Sequence, residues 1–316
     1  MDRCFTLELP PRKRRSTSPA ASVVDISGPL TYGSIMADTQ PLATDVPFDL
    51  SLSADELDAH RERITDFVAE RVEAAGATGG VLGISGGIDS TLTAYLAAEA
   101  LGTDGLHGLV LPSEVNSDEN MSDAERVAED LGIDYDVLAI EPIVESFLDA
   151  FPDAGDEESE RTAVGNLRVR VRAVCNYYLA NRANRLVLGT GNRTESLVGY
   201  FTKYGDGAVD CHPIGNLYKL QVRQLARHVG VPDDLVDKTP TAGMWVGQTD
   251  EEELGIGYDT LDAILALRID GPLSRTATAR ELGIDEDTVE HVEGLVARSE
   301  HKRHTPPAPA PLTRFD

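Results

Sequence analysis

The sequence feature that most constrains the fold is the octapeptide at residues 83–90, which reads Gly-Ile-Ser-Gly-Gly-Ile-Asp-Ser. A short apolar run at residues 81–84 leads into it, and an Ala- and Leu-rich run follows at residues 91–101. This order predicts a strand, a tight glycine turn and a helix that starts near Ser90. The rest of the chain must therefore supply neighbours for a strand–turn–helix unit.

The same octapeptide has the composition of a phosphate-binding turn. Gly86 and Gly87 tolerate positive φ and let a phosphate approach the backbone, and the helix start offers unpaired N–H groups and a positive dipole end. Ser85 and Ser90 add hydroxyl donors. Asp89 would lie where polyphosphate charge gathers, which requires a divalent cation between them. A glycine turn without a ligand is the alternative interpretation, and it leaves the complete Ser-Gly-Gly-x-Asp-Ser string unexplained.

This string resembles the pyrophosphate-binding loop of the ATP pyrophosphatases, which cleave ATP between the α and β phosphates and adenylate an oxygen atom. It is not a Walker P-loop, because no Gly-Lys-Ser/Thr follows it. The loop alone leaves open which oxygen is adenylated.

Strand-like and helix-like segments alternate along the chain, which predicts an α/β fold. We expect a Rossmann-like, doubly wound parallel sheet with helices on both faces, followed by C-terminal helices. Ligands of such folds bind beyond the carboxyl ends of the strands, so Asp89 and Glu195 should face one crevice. Further strands are predicted at 106–111, 135–140 and 185–188, and helices from Ser53 to near Gly76 and at 122–131, 143–151, 162–183, 218–229, 258–269, 276–282 and 285–303.

Three segments are predicted along the chain: an N-terminal extension at 1–50, the α/β domain at 51–305 and a proline-rich tail at 306–316. The extension contains a basic run at 10–15 without a following apolar segment, so it is not a secretory signal. We expect it to be disordered, or to reflect a start assigned too early with Met36 as the first residue; a nuclear-type basic signal is a weaker alternative. The polar stretches 153–160 and 239–254 are expected to be irregular.

The charge composition restricts both the environment and the partners. The formal net charge is -26, with 54 acidic against 28 basic residues. Such an acidic surface suits a cytoplasm of molar salt, where charge repulsion is screened over about 3 Å, so we expect a halophilic source rather than an ordinary acidic protein. It argues against a nucleic-acid partner. No apolar run approaches the roughly 20 residues of a membrane helix. Lysine is restricted to Lys13, Lys203, Lys219, Lys238 and Lys302.

Several further strings occur in a specific order after the phosphate turn. They are Gly-Thr-Gly-Asn-Arg-Thr-Glu at 189–195, a glycine-rich loop at 199–207, Pro-Ile-Gly-Asn-Leu-Tyr-Lys at 213–219, a polar loop at 240–251 around Trp245, and His-Lys-Arg at 301–303. Together they closely resemble the ammonia-dependent NAD synthetases, over about residues 57–311. Relatives usually carry a proline where this chain has Val246, which affects loop stiffness but removes no reactive group.

The resemblance implies a two-step amidation. The nicotinate carboxylate of deamido-NAD would attack the α-phosphate of ATP, and ammonia would then attack the mixed anhydride to give NAD and AMP. A free carboxylate does not react with ammonia, because its leaving group would be oxide, so adenylation has a clear chemical purpose. The resemblance also implies Mg²⁺, a cytoplasmic location and a homodimer with deamido-NAD across the subunit interface.

The resemblance assigns roles residue by residue. Asp89, Glu195 and Lys219 would carry the chemistry, with Asp89 and Glu195 as Mg²⁺ ligands. The ATP-binding positions are Gly83, Ile84, Ser85, Gly86, Gly87, Ile88, Asp89, Ser90, Thr190, Lys219 and Thr241. The deamido-NAD positions are Arg170, Lys203, Asp210, His301 and Lys302. Trp245 is interpreted as part of a lid, and His212 as structural.

Two other functions and one question of nitrogen source stay open at this stage. Another adenylating enzyme of the same loop class, such as a tRNA thiolase, would want a basic surface and reactive cysteines. A catalytically silent nucleotide-binding protein would have no need of both Asp89 and Glu195. Glutamine-dependent relatives carry an N-terminal nitrilase-type domain of a few hundred residues with a nucleophilic cysteine, whereas only about 80 residues precede the phosphate turn here and Cys4 lies in the extension. Free ammonia is therefore the expected donor, unless a separate subunit supplies it. The three cysteines are far apart and predict neither a disulfide framework nor a zinc site.

Overall fold

Four parallel strands form the central sheet of this chain, in the order β3-β2-β1-β4. The structure is a computed structural model, and it describes residues 48–115, 118–151, 157–245 and 248–309. The strands are β1 at Gly80–Gly83, β2 at Leu106–Val110, β3 at Asp134–Val137 and β4 at Leu186–Leu188. Gly80 pairs with both Leu106 and Leu186, so β1 is central. Residues 1–47, Val246 and residues 310–316 lie outside the described residues. The predictions for the N-terminal extension, for Val246 and for most of the proline-rich tail therefore lie outside them as well.

Helices cover both faces of this sheet, which confirms the predicted Rossmann-like α/β class. Leu82 and Leu188 pack with α1, α2 and α7, whereas Val81 and Val187 pack with α4 and α5 on the other face. Neighbouring residues of a strand point to opposite faces, so apolar strands of this kind are buried on both sides. The helices are α1 Ala54–Ala75, α2 Ile88–Leu101, α3 Asp118–Leu131, α4 Glu141–Leu148, α5 Glu157–Ala183, α6 Arg193–Val198, α7 Lys219–His228, α8 Asp233–Val236, α9 Asp250–Leu254, α10 Tyr258–Ile264, α11 Arg275–Leu282 and α12 Glu286–Arg303, with a 3₁₀ turn at Thr103–Gly105.

Local capping signals place the ends of the first helices. Ser53 and Glu56 form the expected capping box of α1, and Gly76 ends the helix at φ 63°. Helix α2 begins at Ile88, earlier than predicted, because Gly87 has the extended conformation of an N-cap. Asp89 therefore lies in the first turn of the helix rather than before it.

Other boundaries shift by a few residues, with β3 ending at Val137 rather than 140, α3 starting at Asp118 rather than 122 and α4 spanning Glu141–Leu148 rather than 143–151, and three stretches differ in kind from the sequence prediction. The stretch 153–160 was expected to be a loop, but α5 already includes Glu157. The stretch 239–254 was expected to be irregular, but Asp250–Leu254 is helical, where acidic residues in the first turn suit the helix dipole. The stretch 258–269 was expected to be one α-helix, but Leu265–Ile269 is a π-helix. Gly271 allows the turn after it, because a Cβ there would lie 2.5 Å from Ala266 O.

The C-terminal helices have a core of their own beside the sheet. Tyr258, Leu261, Val289 and Val292 are almost completely buried in it, together with Val198 of α6. Burying each such side chain contributes about 1.5–3 kcal/mol. This packing places α10 directly against the start of α7. In the described part of the chain, we find no helix with both the length and the apolar character needed to cross a membrane.

Candidate functional site

The candidate site lies at the carboxyl ends of β1 and β4, where two turns lead into α2 and α6. A cavity of about 500 Å³ opens there, and both Asp89 and Glu195 line it. A second cavity of about 240 Å³ shares Ser85 and Thr190 with the first. Thr190, Lys219 and Thr241, which the sequence assigned to ATP, all line the larger cavity.

The turn between β1 and α2 is held in place by its own serines. Gly86 adopts φ 74°, a conformation that favours glycine. The hydroxyls of Ser85 and Ser90 lie 3.0 Å apart, and Ser90 Oγ donates to Gly87 O over 3.0 Å. Among the described residues, no side chain caps the N-terminus of α2. Its first N–H groups therefore stay available to an anion such as phosphate.

Lys219 joins the two carboxylates of the site. Its Nζ lies 2.5 Å from Asp89 Oδ2 and 3.1 Å from Glu195 Oε1. The lysine is only 2% exposed. Lys219 is 130 positions from Asp89 and 24 positions from Glu195 along the chain, yet the three side chains meet in one charged cluster.

The electrostatics of this cluster leave one negative charge uncompensated. Burial would lower the pKa of Lys219, but the charges of Asp89 and Glu195 outweigh it and hold that pKa above its usual value. Burial raises the pKa of Glu195, and the neighbouring charge of Asp89 raises it further. One ammonium cannot balance two half-buried carboxylates, so the site favours a second cation.

Asn192 links the same two carboxylates, although the sequence analysis assigned it no role. As the N-cap of α6, it forms a capping box with Glu195: Asn192 Oδ1 accepts from Glu195 N over 2.9 Å. Its Nδ2 donates to Asp89 Oδ1 over 2.8 Å. An asparagine three residues before a glutamate is a recognisable N-cap signal, so the helix start could have been predicted. The bond to Asp89 could not.

A buried carboxylate from the C-terminal part of the chain also lines the cavity. Asp250 is 3% exposed, and its Oδ2 accepts from Tyr258 OH over 2.8 Å. Among the described residues, its Oδ1 has no hydrogen-bond partner. Burial raises the pKa of this carboxyl. The ring of Tyr258 lies 5.3 Å from Lys219 Nζ. No local sequence signal identifies Asp250 or Tyr258, because long-range packing brings them here.

The loop around Trp245 lies over the start of α5. Trp245 lines the larger cavity, and the guanidinium of Arg161 lies 4.7 Å from its ring. A Cβ on Gly165 would lie 2.7 Å from Met244 Cε, so the loop packs closely on the helix. At the base of the loop, Lys238 Nζ lies 2.5 Å from Asp123 Oδ2. The role of Trp245 in a lid stays a prediction.

Four of the five residues assigned to deamido-NAD lie in the loop at 199–207 or beside it. Lys302 Nζ donates to Gly199 O over 2.7 Å and to Phe201 O over 2.9 Å. Lys203 Nζ donates to His301 O over 2.6 Å. Arg170 Nη2 donates to Lys203 O over 3.3 Å. Of these four, Lys302 lines the larger cavity, and the other three lie outside its described lining.

Asp210, the fifth, lies apart from this group. Its Oδ2 accepts from Val187 N over 2.7 Å and its Oδ1 from Tyr177 OH over 3.2 Å, which attaches it to the end of β4. Nearby, the buried ring of His212 packs under the turn at 189–191, and a Cβ on Gly189 would lie 2.6 Å from its Nδ1. This contact agrees with the structural interpretation of His212.

The donor set suits magnesium better than metals that need a protein cage. In the described ranges, no group of three or more His, Cys, Asp or Glu side chains is arranged to hold a metal. Magnesium usually takes one or two carboxylates and completes its shell with phosphate oxygens and water. Asp89 and Glu195 line the cavity beside the uncapped start of α2 and offer the two carboxylates of such a site.

Four of the matches to known proteins describe the resemblance best. A family model described as NAD synthase matches residues 60–306. The NH(3)-dependent NAD(+) synthetase of Halobacterium salinarum is 59% identical over 263 residues, covering 83% of this chain and 97% of that relative. The structure of NMN synthetase from Francisella tularensis has a TM-score of 0.69 at 34% identity and covers 82% of this chain and 99% of that one. The NH3-dependent NAD synthetase from Campylobacter jejuni, solved with a nitrate ion, has a TM-score of 0.67 at 26% identity and covers 82% and 100%.

Proposed function

This chain belongs to the NAD synthase family, and from that premise we propose how its site works. It is a ligase that forms a carbon–nitrogen bond: it uses ATP to amidate deamido-NAD to NAD. Ammonia is the nitrogen donor in its named relatives, and we carry this over. A tRNA thiolase or a catalytically silent nucleotide-binding protein is not favoured.

One observation carries the assignment of the site: Lys219 Nζ lies between Asp89 and Glu195, beside the uncapped start of α2. We propose that the phosphates of ATP bind at residues 83–90, where first-turn N–H groups and Lys219 meet them. Thr190 and Thr241 line the same cavity and complete the ATP site. The smaller cavity continues from Ser85 and Thr190 and is suited to the nucleoside.

The reaction requires charge stabilisation more than acid–base chemistry. In the first step, a nicotinate oxygen bonds to the α-phosphorus while the bond to the pyrophosphate oxygen breaks. Lys219 and the N-terminus of α2 stabilise the negative charge that develops on the leaving pyrophosphate. In the second step, ammonia bonds to the carbonyl carbon, AMP leaves with the bonding electrons and a proton is released. Because Lys219 is buried, its charge is held at the proposed phosphate site and is not exposed to solvent.

Asp89 and Glu195 would hold a magnesium ion at this place. Bound there, the ion would supply positive charge to the phosphate oxygens as pyrophosphate forms. The excess negative charge around Lys219 and the raised pKa of Glu195 support this assignment. It can be tested without an activity measurement. Isothermal titration of Mg²⁺, together with a non-hydrolysable ATP analogue, would compare metal binding to the native protein and to the Asp89→Asn variant.

We propose that five residues bind deamido-NAD: Arg170, Lys203, Asp210, His301 and Lys302. A second copy of the chain would complete part of this site. Lys302 lines the cavity, whereas Arg170 and Asp210 are directed elsewhere in the single chain. This arrangement suits a substrate that extends from the cavity over the surface of the protein.

The homodimer is proposed from an exposed apolar face on β3, α4 and α5. This face presents the following large side chains to solvent: Val137, Leu138, Ile143, Phe147, Phe151, Val174 and Tyr178. Exposed apolar side chains in this number are unusual on a chain with a net charge of -26, and their most economical cover is the same set of side chains on a second copy. Light scattering at high salt should give a dimer mass, and Phe147→Glu should give a monomer.

The overall assignment is tested by measuring NAD formation from ATP, deamido-NAD and ammonium in high-salt buffer. Release of AMP and pyrophosphate should require deamido-NAD, and glutamine should not replace ammonium. Nicotinic acid mononucleotide is a useful comparison substrate, because one structural neighbour is an NMN synthetase. No NAD formation at any salt concentration would contradict the proposal. We further propose a cytoplasm of high salt as the working environment, because the net charge is -26.

A further inference from the structure

A largely buried hydrogen-bond chain connects α10 with the starts of α6 and α7. Thr194 in α6 and Asp262 in α10 are both 0% exposed. Thr194 Oγ1 donates to Asp262 Oδ1 over 2.6 Å and accepts from Lys219 N over 3.0 Å. Asp262 Oδ2 accepts from Leu220 N over 2.8 Å. Thr194 is therefore bonded to the first residue of α7 and Asp262 to the second.

These bonds satisfy two backbone N–H groups at the start of α7 that its local capping contact, from Tyr218 N to Gln221 Oε1, leaves free. The first N–H groups of any helix lack partners within the helix. Here the N–H groups of Lys219 and Leu220 are satisfied by residues 25 and 42 positions away along the chain. The first turn of α7 is consequently held by α6 and α10 as well as by the local bond from Tyr218 N to Gln221 Oε1.

This arrangement matters because the residues next to the bonded groups form the charged cluster. Thr194 immediately precedes Glu195, and Lys219 supplies both the bonded N–H group and the ammonium that lies between Asp89 and Glu195. A lysine side chain has four rotatable bonds, so its ammonium is held accurately only if its backbone is held. The Thr194 hydroxyl holds that backbone against the turn that also carries Glu195.

We propose that Thr194 and Asp262 are positioning residues, which set the Lys219 ammonium between Asp89 and Glu195. The inference rests on the proposed role of that ammonium in stabilising the leaving pyrophosphate. A displacement of about 1 Å in a catalytic group can cost about 100-fold in rate. The transition state should therefore suffer more than substrate binding when this bond is lost.

The test replaces the hydroxyl of Thr194 without changing the shape of the side chain. Thr194→Val should lower kcat for NAD formation by about 10- to 100-fold, with the KM for deamido-NAD changed less than about threefold. Thr194→Ser keeps the hydroxyl and should retain kcat within about threefold of the native enzyme. A purely structural role would lower stability in Thr194→Val without this separation of kcat from KM.

Thr278 offers a matched control in α11. It is also 0% exposed, and its hydroxyl has no hydrogen-bond partner within the described residues. Thr278→Val should leave both kinetic constants unchanged, which removes the general effect of a buried threonine-to-valine change. If Thr194→Val does not fold, Asp262→Asn gives the second measurement, because its amide cannot accept from both donors and should produce the same fall in kcat.

The result that overturns the inference is distinct from the one that overturns the proposed function. Native-like kcat in Thr194→Val, or an equal loss in Thr194→Ser, rejects the positioning role. Retained NAD formation in Lys219→Ala rejects the assignment of Lys219 itself. An inactive Lys219→Ala beside a fully active Thr194→Val would reject the positioning role alone.

Discussion

Asn192 donates a hydrogen bond of 2.8 Å from its side-chain amide to Oδ1 of Asp89, across 103 positions of the chain. The same asparagine caps α6 and bonds to Glu195 N. The relative position of the two carboxylates therefore depends on one neutral side chain as well as on Lys219. Substitution of Asn192 or of its partners should therefore change measurable properties of the protein.

Replacing Asn192 with serine should separate helix capping from the placement of Asp89. Serine is a good N-cap, so the free energy of unfolding should change by less than about 1 kcal/mol. Its shorter side chain cannot reach Asp89, and we expect pyrophosphate release to fall by about tenfold. Stopped-flow or steady-state pyrophosphate assays, beside urea unfolding, measure the two effects. A loss of stability without a loss of rate would show that Asn192 is only a cap.

Asp89→Asn should abolish adenylation and leave the fold intact. The neutral amide cannot balance the charge of Lys219 and is a weaker ligand for a hard cation than a carboxylate, and we expect at least about a 100-fold fall in pyrophosphate release. Lys219 still has Glu195 as a partner, so unfolding should remain cooperative in thermal melts. Retained pyrophosphate release would contradict the proposed role of Asp89 as a magnesium ligand.

Lys302→Ala should mainly weaken the binding of deamido-NAD. The lysine lines the cavity and is bonded to two carbonyls of the neighbouring loop, so its loss removes a positive charge and loosens the loop. We expect the KM for deamido-NAD to rise by about tenfold while the KM for ATP changes little. Arg303→Ala, next to it on α12 and bonded to Leu197 O, is a control for general damage to this helix end. An unchanged KM for deamido-NAD would count against the assignment.

Stability should depend on pH through the buried carboxyl of Asp262. Burial raises its pKa to about 6, despite the hydrogen bonds from Thr194 and Leu220 that lower it. The folded state thus binds the proton more tightly than the unfolded state, and this contribution to stability is lost as the pH rises from about 4 to about 6. Relative to Asp262→Asn, the native free energy of unfolding should fall by about 2–3 kcal/mol over that range and then level off. Urea unfolding at constant high salt measures it, and a difference independent of pH would contradict it.

Low ionic strength should destabilise the whole protein. The net charge of -26 repels itself, and the Debye length grows from about 3 Å at about 1 M salt to about 10 Å at about 0.1 M. We expect the thermal midpoint to fall, or the fold to be lost, on dialysis between these conditions. Sucrose is the control, because it does not screen charge. Full stability at the lower salt concentration would contradict a halophilic origin.

Several parts of the architecture could be predicted because their signals are local. The glycine turn after β1, the capping box of Ser53 and Glu56, and the alternation of apolar strands with helices each depend on a few adjacent residues. Two elements were not predicted: helix α9, in a stretch expected to be irregular, and the π-helix at Leu265–Ile269, in a stretch expected to be α-helical. The π-helix packs against α11, a contact that no short window of sequence contains.

The amino-acid sequence alone determined the groups available to this protein: a glycine- and serine-rich turn, two carboxylates after strand ends, a few isolated lysines and a net charge of -26. It also determined the family, because the order of its motifs is specific. Only the tertiary structure decided which groups act on one another. Asn192 reaches Asp89, and Asp262 reaches the first turn of α7, because parallel strands and packed helices bring distant segments together. Contacts of that kind are set by the burial of apolar side chains over the whole fold and have no local signature.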